Sequence, residues 1–266
     1  MNPFRKIALK TLKVMSFDTT IKHHFVKRKF LLNTYHHKGY WYHGVNREAE
    51  TMKIFESWIL PDQFILEIGA HIGYISTFFA FLVGSKGKVD VFEPGEKNLK
   101  YLNRNIDYLP KEIKDIVTVV NKGAGDVDGF LDFYIDPISG RNNSFIENFP
   151  AFLYNQVSWA ESNSVLKKES VECIKLDTYF KNKSRFPDFV KVDVEGFEWN
   201  VIQGFESTIE KFHPTFMIEI TTNSEQLISF FKDKNYTIFN ENMEEIKDHA
   251  EYLRKKTVNI FFKYSN

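Results

Sequence analysis

The chain has 266 residues, enough for one large domain or two small ones, and 43% of them are hydrophobic, enough for a sizeable core. Its formal charge of +0 gives no reason to expect nucleic acid as a partner, and no run approaches the roughly 20 apolar residues of a membrane span. A single cysteine, Cys173, excludes an intrachain disulfide and fits a reducing, cytoplasmic compartment.

Residues 1–60 read as an N-terminal helical extension or lid. Arg5, Lys6, Lys10, Lys13, Lys22, Lys27, Arg28 and Lys29 face only Asp18, with Ile7, Leu9, Leu12, Val14 and Met15 interspersed. That pattern suits a solvated helix face packed on the main domain, or peripheral contact with an anionic membrane on its inner face. No uninterrupted apolar stretch follows Met1, so the segment does not read as a secretory signal. The aromatic, glycine-flanked stretch from Lys38 to Gly44 interrupts the helical pattern and is expected to form a strand or a lid, with His43 a candidate substrate contact. A helix from Glu48 to Leu60 follows, and Pro61-Asp62 stops it.

Residues 61–266 read as one α/β domain. Strands are expected at 63–68, 88–93 and 116–121, separated by helices carrying Ile75, Phe78, Phe79 and Leu82, then Leu99, Leu102 and Ile106. Gly123 to Asp126 is expected as a loop, Phe130–Ile135 and Val171–Leu176 as strands. Cys173, alternating with its neighbours there, reads as a buried small residue. Between those two strands, residues 136–166 read as an inserted substrate loop. The strand–helix rhythm resumes at Phe189–Val194 and Thr215–Ile220, and Tyr236–Phe239 with Val258–Tyr264 are expected to pair as an antiparallel hairpin. Alternating strands and helices imply a Rossmann-like, mostly parallel sheet with helices on both faces.

The chemistry concentrates at the strand ends, where open α/β sheets bind ligands. Phe64 to Ile68 runs into Gly69-Ala70-His71-Ile72-Gly73, with Glu67 two positions before the first glycine. A pyrophosphate there would want backbone N–H groups and no anion nearby, and the third glycine of the dinucleotide fingerprint is missing. A carboxylate suits the ammonium and sulfonium of S-adenosyl-L-methionine. Glu93, ending the second strand, is placed to accept ribose hydroxyls, and His71 is a candidate cofactor contact. Asp193, Glu195 and Glu198 cluster after the fourth strand and are costly there unless used. Asp193 or Glu195 is a candidate general base. A helix cap or an ion pair with Lys191 or Arg141 is the competing explanation. Glu219, ending the fifth strand, is a candidate substrate residue. No metal-ligand spacing is present.

These residues resemble the FkbM-type methyltransferases over roughly 45–240. The carriers are Glu67-Ile68-Gly69-Ala70-His71-Ile72-Gly73-Tyr74, Val91-Phe92-Glu93-Pro94-Gly95-Glu96-Lys97-Asn98, and Lys191-Val192-Asp193-Val194-Glu195-Gly196-Phe197-Glu198 with Gly204. Asn143-Ser144 and Met217-Ile218-Glu219 resemble further family segments. Where this chain has His71 the family usually has asparagine. The resemblance implies a seven-stranded methyltransferase sheet and an S-adenosyl-L-methionine-dependent O-methyltransferase acting on hydroxyls of glycans or other metabolites. It implies cofactor contacts at Glu67, Gly69, Ala70, His71, Gly73, Tyr74, Glu93 and Asn98, with Ala124 or Asp126 near the adenine, and Asn143 and Ser144 toward substrate. The other readings are an NAD-type Rossmann oxidoreductase and a non-catalytic, membrane-associated cofactor-binding scaffold.

Overall fold

The computed structural model describes residues 10–136, 142–150, 152, 166–247 and 258–265. In chain order the elements are β1 (Asp18–Lys22), β2 (Lys29–Asn33), α1 (Lys38–Tyr42), α2 (Ala49–Trp58), β3 (Phe64–Ile68), α3 (Tyr74–Val83), β4 (Lys88–Phe92), α4 (Glu96–Asp107), α5 (Lys111–Lys114) and β5 (Val117–Val120). Then come β6 (Gly123–Ala124), β7 (Gly129–Ile135), β8 (Lys167–Ile174), α6 (Leu176–Phe180), β9 (Phe189–Val192), α7 (Glu198–Gln203), α8 (Glu206–Phe212), β10 (Thr215–Ile220), α9 (Ser224–Asp233), β11 (Tyr236–Phe239) and β12 (Val258–Tyr264).

Seven strands form one sheet in the order β11-β12-β10-β9-β3-β4-β5. The neighbouring strands β10, β9, β3, β4 and β5 run parallel, and β12 inserts antiparallel between β10 and β11. The hairpin expected at the end of the chain is therefore present, with its last strand inside the sheet and β11 at the edge. The sheet is buried on both faces because its strands are apolar on both. Phe189, Met217 and Phe261 join a core with α2, α3 and α4. Val190, Phe216, Ile218 and Phe262 join a second core with α6, α7, α8 and α9. Chain order reverses beside β3, where the strands go from β3 to β4 on one side and from β3 to β9 on the other. That switch point is where such a sheet opens a crevice.

The extension differs from its expectation. Residues 10–14 are helical, but β1 and β2 pair as an antiparallel hairpin from Asp18↔Asn33 to Lys22↔Lys29. The burial of β1 alternates, Thr19 and Ile21 half-buried between exposed neighbours, which is a strand period of two rather than a helical one. The stretch expected to break the helix, Lys38–Tyr42, is itself the helix α1. The hairpin is tied down by Asn105 of α4, whose Oδ1 accepts Leu31 N at 2.6 Å and whose Nδ2 donates to Leu31 O at 3.1 Å. Phe30, Leu32 and Phe55 are fully buried in the same core as α3, and each such side chain contributes about 1.5–3 kcal/mol.

The strands that flank the expected substrate loop form a separate three-stranded sheet, β6-β8-β7. Gly123-Ala124, expected as a loop, is a two-residue strand because it pairs with Cys173 and Ile174. Cys173 is buried, and burial pushes its thiol up to about 11. Of the substrate loop expected at 136–166, most lies outside the described residues, including Arg141. Among the described residues no helix is long and apolar enough to cross a membrane.

Candidate functional site

A cleft opens over the C-terminal ends of β3, β4, β9 and β10, and one of its walls is the turn after β3. Gly69 has φ +85, and a Cβ there would lie 1.8 Å from the Asp193 carbonyl oxygen, so only glycine lets the turn pass this close to β9. Gly69 N and Ala70 N both donate to Phe92 O at 3.0 Å. His71 has φ +51, and its N–H donates to Glu93 Oε2 at 2.8 Å. That left-handed conformation is one asparagine also tolerates. Gly73 has φ +83, and a Cβ on it would meet Leu102 Cδ1 at 2.6 Å, so α3 can start close to α4.

Glu93 bolts this turn to the next loop. Its Oε1 accepts Gly95 N at 2.9 Å and Asn98 Nδ2 at 3.1 Å. Burial pushes its carboxyl up to about 7 against those donors. A carboxylate has about four lone-pair sites, so room remains for one more donor such as a ribose hydroxyl. Beyond it the cleft is lined by Ala124, Phe133, Asn143 and Phe145, a largely apolar wall.

The opposite wall is ionic. The register places Glu67 opposite Lys191. Lys191 is buried, and its Nζ lies 3.6 Å from Glu67 Oε1 and 3.0 Å from Asp193 Oδ2. Burial alone would lower its pKa, but the charges of Asp193 and Glu67 outweigh it and hold the ammonium well above its ordinary value. Glu67 also accepts Ser76 Oγ at 2.5 Å. Burial raises the Glu67 carboxyl, opposed by Lys191 and Ser76. Glu219 is raised most by the charge of Asp193, to which it is hydrogen-bonded, and then by burial. Asp193 and Glu219 thus form an interacting carboxyl pair on this wall, in which each disfavours the charge of the other.

The third wall comes from the extension. Tyr40, Arg47, Glu48 and Thr51 line the cleft. Tyr40 Oη and His71 Nδ1 are hydrogen-bonded at 3.1 Å, and the Arg47 guanidinium lies 4.3 Å over the Tyr40 ring. Asn259 of β12 donates to Thr51 Oγ1 at 3.4 Å. Tyr40, Arg47 and Asn259 were not singled out in the sequence. The aromatic stretch around Tyr40, expected as a strand or a lid, is the available signal.

Of the residues expected from the sequence, Glu67, Gly69, Ala70, His71, Tyr74, Glu93, Asn98, Ala124, Asn143, Asp193, Glu195 and Glu219 line this cleft. Tyr74 is buried, with its hydroxyl tied to His24 Nδ1 at 2.8 Å. Five expected contacts are not part of the lining. Gly73 lies against Leu102 of α4. His43 is exposed, because α1 turns it outward. Asp126 is half-buried just past β6. Ser144 is buried, where its Oγ donates to Glu195 O at 2.7 Å. Glu198 is buried as well: the turn at Glu195 (φ +53) and Gly196 (φ +100) directs it inward, where it accepts Gly196 N at 2.8 Å and Thr221 Oγ1 at 3.2 Å.

Burial pushes Glu198 up to about 7 from its ordinary 4.5. The folded state then binds this proton more tightly than the unfolded chain. Its stabilising contribution is complete below the ordinary value and is lost as pH rises through about 7. Glu198→Gln should therefore flatten the fall in melting temperature between about pH 5 and about pH 8. Parallel melting profiles for the two proteins would contradict this.

The family model described as the methyltransferase FkbM domain matches residues 67–256. No curated protein matches the chain. Among solved structures, a methyltransferase FkbM from Methylobacillus flagellatus KT is similar over 77% of this chain and 44% of that one, at 17% identity and a TM-score of 0.48. This chain therefore spans less than half the length of that protein. An S-adenosyl-L-methionine-dependent O-methyltransferase from Thermotoga maritima is similar over 83% of this chain and 66% of that one, at 11% identity and a TM-score of 0.44. Aeropyrum pernix fibrillarin, in complex with natively bound S-adenosyl-L-methionine, is similar over 80% of this chain and 73% of that one, at 8% identity and a TM-score of 0.43.

Proposed function

This chain belongs to the FkbM methyltransferase family, and from that premise we propose that it uses S-adenosyl-L-methionine to methylate a hydroxyl of a glycan or other hydroxylated metabolite. The observation that carries the hydroxyl reading is the Asp193–Glu219 pair on the cleft wall. A hydroxyl acceptor benefits from a base at the attacking oxygen. Lys191, 3.0 Å from Asp193, favours its charged form, while the charge of Asp193 and burial raise the Glu219 carboxyl. Asp193 is thus the member placed to take the acceptor's proton, and Glu195 beside it is a substrate contact.

The cleft fits the methyl donor. Glu93 retains acceptor capacity for a ribose, and Ala124, Phe133 and Phe145 offer an apolar wall to a purine. When bound, the donor supplies an electrophilic methyl group on a sulfonium. Glu67 already holds Ser76 and Lys191, so its part is to fix the ionic wall, and the nearby Asp193 carbonyl is a second acceptor for an ammonium. A dinucleotide pyrophosphate at the Gly69 turn would meet the carboxylates of Glu67, Glu93 and Asp193, which argues against the oxidoreductase reading.

Incubation with methyl-labelled donor and pools of hydroxylated glycans and metabolites tests this. Label recovered as methyl ethers is expected. Label found only on amines or carboxylates would overturn the hydroxyl assignment.

We also read the edge around β1 and α1 as a peripheral contact for an anionic membrane, from a cytoplasmic location. Val14, Met15, Phe17, Trp41, Tyr42 and Val45 are exposed, and Lys10, Lys22 and Lys29 of the same extension are exposed as well. Trp41 Nε1 donates to Thr34 O and Thr34 N donates to Phe17 O, which brings the aromatic residues to one edge. Flotation with anionic but not neutral vesicles is expected, and absence of flotation with both would remove this part.

A further inference from the structure

We propose that Arg47 of the extension binds the α-carboxylate of the methyl donor's methionine end, with Tyr40 holding the guanidinium in place. This rests on the methyl-donor reading above. The donor carries an ammonium, a sulfonium and a carboxylate. Among the described residues the cleft lining has carboxylates at Glu48, Glu67, Glu93, Asp193, Glu195 and Glu219, but lysine or arginine only at Arg47, Lys122 and Lys191. The ligand's single anionic group therefore has few possible partners.

Two of the three cations are committed elsewhere. Lys191 is buried between Glu67 and Asp193. Lys122 pairs with Glu172 at 2.6 Å and sits beside Gly123-Ala124, on the apolar side of the cleft. Arg47 differs. Its side chain is only 14% exposed, its contact with Glu48 is a long 3.7 Å, and its Nε is buried with no hydrogen-bond partner among the described residues. Leaving a buried donor of a charged group unmet is costly, and an acceptor atom from a ligand removes that cost. A guanidinium edge matches a carboxylate in shape as well as charge.

Its position selects the methionine end. The Tyr40 ring beneath Arg47 is stacked on His71 at 6.2 Å and lies 4.8 Å from Tyr74, the residues of the glycine turn and the start of α3. The apolar wall of Ala124, Phe133 and Phe145 belongs to β6, β7 and the loop after them. Tyr40 and Arg47 also precede residues 67–256, so the contact is supplied from outside the matched family domain.

Isothermal titration of the full chain separates the outcomes. S-adenosylhomocysteine keeps the amino-acid carboxylate, and 5′-methylthioadenosine lacks it. Arg47→Met is expected to weaken S-adenosylhomocysteine about tenfold or more while leaving 5′-methylthioadenosine within about twofold. Arg47→Lys should recover part of the loss. Equal weakening of both ligands, or of neither, would overturn the assignment. If the wild-type chain bound neither ligand, the methyl-donor reading itself would fall, and this inference with it.

Discussion

Asp193→Asn is expected to lower turnover by about 10²- to 10⁴-fold while leaving donor affinity within about threefold. An amide cannot take a proton from a hydroxyl at neutral pH, yet it keeps the size and the hydrogen-bonding edge of the acid. The main-chain carbonyl of residue 193, which faces the Gly69 turn, is unaffected by the change. The loss should therefore fall on turnover rather than on donor binding. Initial rates with label transfer, together with titration of the donor, measure both quantities. Full turnover in Asp193→Asn would show that Asp193 is not the base, and equal losses in rate and donor affinity would show that it holds the cofactor instead.

The second large effect is on stability. Lys191→Met removes a buried cation from between Glu67 and Asp193 and leaves Glu67 buried without its counter-charge. Breaking one side of a buried ion pair costs about 3–5 kcal/mol, a large part of the roughly 5–15 kcal/mol that keeps a domain folded. Denaturant midpoints should fall accordingly. Lys191→Arg, which keeps the charge, should lose less. Combining Lys191→Met with Glu67→Gln should recover more than about 1 kcal/mol, because the two positions are directly coupled. Midpoints equal to wild type for Lys191→Met would refute the ionic account of this wall.

Much of the sheet could be read from the sequence because its strands are unusually plain. Phe64–Ile68, Lys88–Phe92, Phe189–Val192 and Thr215–Ile220 are short apolar runs between helices with a clear periodic face. The acids that tip them, Glu67, Glu93, Asp193 and Glu219, were legible for the same reason: a carboxylate ending an apolar strand stands out. The hairpin at Asp18–Asn33 was not legible. Its strands are five residues long in a basic segment, too short to separate a period of two from one of 3.6. Glu198 was singled out by its spacing from Glu195, but the left-handed backbone at Glu195 and Gly196 turns it away from the cleft. Arg47 was missed because its role depends on α1 laying Tyr40 against His71, a contact between residues 31 apart in the chain.

The most direct test of the central claim, that this acidic cleft receives a cationic methyl donor, is isothermal titration of the intact chain with S-adenosyl-L-methionine and, separately, with NAD. Saturable binding of S-adenosyl-L-methionine, with a dissociation constant on the order of micromolar, and no binding of NAD is the predicted result. Saturable binding of NAD with none of S-adenosyl-L-methionine would contradict it.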